Sequence, residues 1–254
     1  MRYASLRQGL VGAWCPSVSG PYGYRLPDLS GYGNHGTLTN MDPGSDWVVS
    51  GGKGALDFDG SDDWISISDN RQWHKSDFSF ACFANFRGVG GVSYGTVFSR
   101  DNGGTNWVFF SRDNYSRGGA MAINFYDGAN NPAVVSNTVL TLSTWYHVAF
   151  TVQGNTATVF VNGKAESSGS ILIWTRPTID NIQLGRWNLS GGRTMDGFLD
   201  DARLYFRALT SNEISMLASE RGIGLKPERI RNRYKKSSAY RRRQYLQPVG
   251  VGLV

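Results

Sequence analysis

Several residue types in this 254-residue chain are suited to holding sugars. A saccharide offers apolar C–H faces that stack on aromatic rings, and hydroxyls that need amide, carboxylate or guanidinium partners. Trp107, Tyr115, Tyr126, Trp187 and Asn188, with Arg100, Asp101 and Arg186, place such groups near predicted loops and form the candidate glycan-binding set. Glycoside hydrolysis asks for more, because one carboxyl must protonate the leaving oxygen while a second attacks or activates water. The chain has four glutamates and no paired strand motif of them: Glu213 and Glu220 fall in a predicted helix, Glu228 in the tail, and Glu166 after a VNG turn. Asp62/Asp63 and Asp200/Asp201 are adjacent pairs, and adjacent strand residues point to opposite faces, so neither reads as a catalytic dyad.

Other chemistries find less support. Gly91-Val92-Ser93-Tyr94-Gly95 matches the spacing of a nucleophile elbow, but a glycine-rich loop precedes it and a strand follows, where the elbow needs a strand and then a helix. His35, His74 and His147 are far apart and lack metal-ligand neighbours. No nucleotide-binding or zinc spacing occurs. These residues point to a binder rather than an enzyme.

The elements that must position these groups are short. Runs rich in Val, Ile, Phe, Trp and Thr recur between Gly/Asn/Asp clusters, the pattern of an antiparallel sandwich. Predicted strands are Leu10–Trp14, His35–Thr39, Ala55–Phe58, Trp64–Ser68, Ser79–Phe86, Thr96–Ser99, Trp107–Ser111, Ala120–Tyr126 and Ala133–Val135. The clearest hairpin joins Tyr146–Val152 to Thr156–Val161, with Val148, Phe150 and Val152 and then Ala157, Val159 and Val161 on one face. Asn162-Gly163 supplies a positive-φ turn into the next strand, and Ile182–Leu184 and Gly197–Phe206 close the body. DFDGSDDW, turning at Asp59-Gly60, reads as a further hairpin, and Trp14 and Trp145 as core anchors. The period then changes: Thr210-Ser211-Asn212-Glu213 is a capping box, and Ile214, Leu217 and Ala218 follow at helical spacing, predicting one short helix over about residues 211–220.

Charge divides the chain at residue 226. From Lys226 onward nine Lys/Arg oppose one acid, Glu228, so this segment carries +8 of a net +6 and leaves the body at −2. The division predicts a 1–225 domain and a 226–254 arm. In the arm Arg229, Arg231, Arg233, Lys235, Lys236, Arg241, Arg242 and Arg243 alternate with tyrosines. Such an arm can neutralise phosphates and stack on bases, dock on acidic grooves of neighbouring subunits, or stay solvated. Cys15 and Cys82 pair only if the fold brings their strands together. No export signal and no apolar run long enough to span a bilayer is apparent, so an extracellular role implies another route, such as assembly into a particle.

Six phrases together resemble one family: GLVGAW at 9–14, DLSGYGNHGTL at 28–38, ALDFDGSDDWISI at 55–67, WYHVAFT at 145–151, VFVNG at 159–163 and GFLDDARLYFRALTSNEISML at 197–217. In this order they are similar to the laminin-G-like jelly rolls of the concanavalin A-like superfamily, found in phage and bacterial surface proteins. The resemblance implies an all-β, antiparallel jelly-roll sandwich with a short C-terminal helix. It also implies a calcium ion held by oxygens, for which Asp200 matches the closing-strand acid and Asp28 and Asn34 lie in the matching loop. The function expected is a structural or adhesion protein of a virion or similar particle. Its sandwich would face outward toward glycans or surfaces, and its arm would join other particle subunits in a homo-oligomeric assembly. The competing expectations are a free lectin and, more weakly, a glycoside-active enzyme.

Overall fold

Val148, Phe150 and Val152 lie directly opposite Val161, Val159 and Ala157 across one antiparallel pair, and all six are buried. That pairing repeats across the computed structural model, which describes residues 3–68, 77–101, 107–126, 128–171, 181–187 and 192–225. Two sheets of eight strands each result, face to face, because most of the strands have an apolar face to cover. The first sheet runs Lys164–Ser170, Thr156–Val161, Trp145–Gln153, Phe78–Phe86, Asp196–Tyr205, Lys53–Asp59 and Trp47–Ser50, with Leu10–Trp14 also paired to Asp196–Tyr205. The second runs Ala133–Val139, Ala120–Tyr126, Trp107–Asp113, Tyr94–Asp101, Asn181–Leu184, Trp64–Ile67, Gly36–Thr39 and Arg25–Leu26. The predicted jelly-roll sandwich is therefore the observed fold.

Between the sheets lies an aromatic core. Phe80, Phe98, Phe110 and Phe150 are fully buried, with Phe80 and Phe98 ring centroids 4.6 Å apart and Phe110 meeting Phe150 edge-on at 5.2 Å. Trp14 joins this core as expected, its indole Nε1 donating to the Asn34 carbonyl at 2.7 Å. Trp145 does not: it sits on the outer face of the first sheet beneath the Arg221 guanidinium, 4.3 Å away. The DFDGSDDW hairpin is also corrected. Lys53–Asp59 belongs to the first sheet and Trp64–Ile67 to the second, so the turn at Gly60 (φ 84°) crosses between layers. Phe58 and Ile65 both reach the core from opposite sides. A crossing turn and a hairpin use the same residues, so local composition does not separate them.

The outer face of the first sheet is covered. Helix Ser211–Ser219 begins in the predicted capping box: Thr210 Oγ1 accepts from Glu213 N at 3.3 Å and the Glu213 carboxylate accepts from Thr210 N at 3.0 Å. It lays Ile214 and Leu217 on Ala81, Ala149 and Phe160. Gly163 (φ 79°) passes so close to the helix that a Cβ there would meet Ser215 Cα at 3.1 Å. Beside the helix, Asp201 and Arg203 form an ion pair at 2.7 Å that is almost completely buried. Asp201 (φ 51°) interrupts strand alternation, so Asp200 and Asp201 both reach the segment at Arg221 and Gly222, contrary to the opposite-face expectation. Cys15 and Cys82 are buried free thiols. Among the described residues no helix is long and apolar enough to cross a membrane.

Candidate functional site

The outer face of the second sheet is built differently. In Trp107–Asp113, Val108 and Phe110 enter the core while Trp107, Phe109 and Ser111 face outward. Register aligns Trp107 with Tyr126 and Phe109 with Asn124 on one side, and Phe109 with Ser99 and Ser111 with Thr96 on the other. The short ladder of Arg186–Trp187 with Arg193–Thr194 folds over this face, fastened by Ser99 Oγ donating to the Arg186 carbonyl at 2.7 Å. It lays Trp187 flat on Phe109 at 4.6 Å and 18°, and against Trp107 at 4.7 Å. Trp107 in turn stacks on Tyr126 at 5.1 Å. Where these rings stop, a cavity of about 280 Å³ opens, walled by Tyr94, Trp107, Phe109, Tyr115 and Trp187 and by the polar groups of Ser116, Arg117, Asn124, Asn131 and Arg193.

Two guanidiniums reach this cavity in contrasting states. Arg117 Nη1 pairs with the buried Asp113 carboxylate, which also accepts from Ser116 N at 3.0 Å and Ser116 Oγ at 2.9 Å. Arg193 lies between rings, 4.2 Å from Tyr94 and 4.3 Å from Trp187. Burial pulls the Arg193 pKa down, with Tyr94 and Asp113 opposing, and burial raises the Tyr94 phenol. Among the described residues, Trp187 Nε1 and Asn124 Nδ2 are enclosed donors without a protein acceptor, and Thr96 Oγ1, Ser111 Oγ and Gln183 Oε1 on the same face also lack partners. No carboxylate is among the described residues lining the cavity, where glycoside hydrolysis asks for two.

The predicted glycan set is partly assembled at this place. Trp107, Tyr115 and Trp187 line the cavity; Tyr126 packs on Trp107 and donates its hydroxyl to the Gly128 carbonyl at 3.0 Å. Arg186 sits on the covering ladder with its guanidinium 5.4 Å from the Trp64 ring. Arg100 is corrected: it lies opposite Val108 and Ile182 on the core side, only 2% exposed, over Phe78. Asp101 ends its strand with backbone pairing to Trp107 and Asn181, while Asn188 and all the named arm residues lie outside the described residues. Tyr94, Phe109, Asn124, Arg117 and Arg193 were not anticipated. A usable signal existed in Trp107-Val108-Phe109-Phe110, which is bulky on both faces although a two-layer sandwich has one core.

A family model described as the concanavalin A-like lectin/glucanases superfamily, of the Laminin_G_3 type, matches residues 59–215. The chain belongs to that superfamily. No curated protein matches its sequence. Among solved structures, domain 4 of AbnA, an extracellular arabinanase from Geobacillus stearothermophilus in complex with arabinotriose, superposes with a TM-score of 0.65 at 18% identity, covering 82% of this chain and 98% of that one. The binding domain of Paraclostridial Mosquitocidal Protein 1 gives 0.64 at 18%, covering 84% and 52%. The botulinum neurotoxin serotype D binding domain gives 0.64 at 14%, covering 86% and 52%. The chain thus spans about half the length of these two toxin domains, and the likeness is one of fold.

The calcium site expected of this superfamily fits poorly onto the residues assigned to it. Asp28 Oδ1 accepts from Ala13 N at 2.9 Å and Ser30 N at 2.8 Å, and Oδ2 from Ser30 Oγ at 2.7 Å and Asn34 N at 2.9 Å. Four donors occupy the lone pairs that calcium would use. The Asn34 side-chain amide donates to the Val11 carbonyl at 2.7 Å. Asp200 takes Ser17 N at 3.1 Å and faces Arg221 Nε at 3.7 Å, so a cation already neighbours it. One acidic cluster, Asp59, Asp62 and Asp63, does gather within the described residues. Its oxygens accept from Ser61 N, Asp59 N and the Asn40 amide, the bonds that shape the crossing turn.

Proposed function

We propose that this chain is a non-catalytic carbohydrate-binding protein whose ligand enters the aromatic cavity on the outer face of the second sheet. We further propose that residues 226–254 tether it to a larger particle, such as a virion, so that this face is presented outward. The observation that carries the first part is the cavity itself. Aromatic walls, unmatched hydrogen-bond donors and no carboxylate among the described lining residues suit recognition of a sugar without its hydrolysis. The arabinotriose held by the structurally similar arabinanase domain supports a saccharide as the ligand class. Supporting the tether is the separation of charge, +8 in residues 226–254 against −2 in the rest.

A glycan array tests the first part, with the full chain beside Tyr115→Ala. Tyr115 is 76% exposed, so its loss should reduce retention without unfolding the sandwich. Equal retention by both proteins would remove the cavity from consideration, and absence of any retained glycan would sink the lectin reading. For the tether, light scattering of the full chain and a 1–225 truncation with the particle that carries it should show association of the full chain alone. Association of both would rule out the arm as the anchor.

A further inference from the structure

Arg193 is the one feature of the cavity that a merely aromatic sugar platform does not require. Its guanidinium is held between the Tyr94 and Trp187 rings and stands 5.3 Å from Phe109. Among the described residues it has neither a hydrogen bond nor an ion pair. Surface arginines stay in water, whereas this one is half-buried, and its planar fork is already immobilised by stacking. Arg117, the other guanidinium of the cavity, is neutralised by Asp113. Over the described residues, Arg193 therefore leaves the cavity with one unmatched positive charge. The other unsatisfied cavity-lining groups, Trp187 Nε1 and Asn124 Nδ2, are donors too. Asn124 Oδ1 lies toward Arg117 Nη1 at 3.5 Å, with its amide nitrogen on the opposite side.

We propose that the cavity selects acidic saccharides, with a sugar carboxylate pairing with the guanidinium fork of Arg193 while the sugar ring lies against Tyr115 and Tyr94. This specificity rests on the carbohydrate-binding reading above. A guanidinium fork donates two parallel N–H bonds to a carboxylate, and a hydrogen bond to a charged group contributes about 1.5–3 kcal/mol, on the order of ten- to a hundredfold in affinity. The volume of about 280 Å³ suits one or two sugar rings. Uronic and sialic acids both carry the required carboxylate.

Calorimetric titration of the full chain separates these sources. Trigalacturonate is compared with neutral galactotriose, and sialyllactose with lactose, in salt of about 0.15 M to screen the arm. At least one acidic ligand should bind about tenfold or more tightly than its neutral partner. Arg193→Gln should remove that preference by weakening the acidic ligand about tenfold or more and its neutral partner much less, and Arg193→Lys should keep part of it. Because every variant keeps residues 226–254, arm binding to a given ligand cancels between variants. Equal affinity for acidic and neutral partners, or equal weakening of both by Arg193→Gln, would overturn the acidic specificity and leave the lectin reading standing. No binding of any of the four ligands, here and on the array, would remove both.

Discussion

The two outer faces of this sandwich are made from the same period-two strands and have opposite fates. On the first sheet, two arginines find carboxylates inside the protein. Arg203 pairs with Asp201 and donates to the Ile223 carbonyl at 2.8 Å, and Arg207 holds the Glu213 carboxylate through two bonds of 2.7 Å. A helix and the 220–225 segment then seal them. On the second sheet, Arg193 and the Trp187 and Asn124 nitrogens are left without protein acceptors beside a cavity. Burying unmatched donors is unfavourable, by about 1–3 kcal/mol each; Trp145 Nε1 and Arg221 Nη1 on the first face lack partners too, so it is the cavity beside those on the second that points to that face for recognition.

The sharpest way to break this contrast is on the covered face. Asp201→Ala would leave Arg203, 1% exposed, without its carboxylate, which should cost about 3–5 kcal/mol. Urea unfolding would then show a large fall in midpoint; a loss of unfolding free energy below about 1 kcal/mol would mean the pair is not the internal match we describe.

A second effect on the same face is set by pH. His147 is buried, its ring edge-on to Phe83 at 5.0 Å, and burial pushes its pKa down to about 4, with Arg203 assisting and Asp201 opposing. An unfolded histidine takes its proton near about pH 6.5, so between there and about pH 4 the unfolded chain binds more protons. Stability should therefore fall as pH drops through that window, by on the order of 3 kcal/mol in all. His147→Gln should flatten this slope, and an unchanged slope would assign the acid sensitivity elsewhere.

Sequence reading reached the covered face more fully than the open one. The capping box at Thr210 and the hairpin around Gly154 depend on neighbours within a few residues, and both formed as read. The open face depends on register among distant strands. Arg100 shows the difficulty: simple alternation from Tyr94 through Thr96 would turn it outward, but a register shift between Thr96 and Phe98 sends Phe98 and Arg100 to the core side. Arg193, by contrast, reaches the site on a ladder two residues long, which no periodicity announces. The crossing turn at Gly60 failed for a related reason, because its residues permit pairing within a sheet or passage between sheets.

On the open face the expected effects are on affinity rather than folding. Tyr115 stacks on Tyr94 at 6.2 Å and is otherwise in solvent. An exposed ring of this kind contributes little to stability, and an aromatic contact is worth about 0.5–1.5 kcal/mol, so Tyr115→Ala should weaken saccharide binding by up to about tenfold. The melting temperature should stay within about 2 °C. A large loss of stability would place Tyr115 in the fold rather than in recognition.

Thr210→Ala supplies the reciprocal control and the smallest effect. Its hydroxyl oxygen accepts from Glu213 N, and removing an N-cap costs about 1 kcal/mol. Glu213 still has Arg207, whose hydrogen bonds hold its pKa below the usual glutamate range, so the helix should stay docked. A fall of a few degrees in melting temperature with unchanged saccharide affinity is expected, since the helix packs on the outer face of the first sheet and the cavity on that of the second. Weakened binding in this variant would mean the two faces are coupled through the core, and the division between a sealed face and a receptive one would have to be replaced by a single cooperative unit.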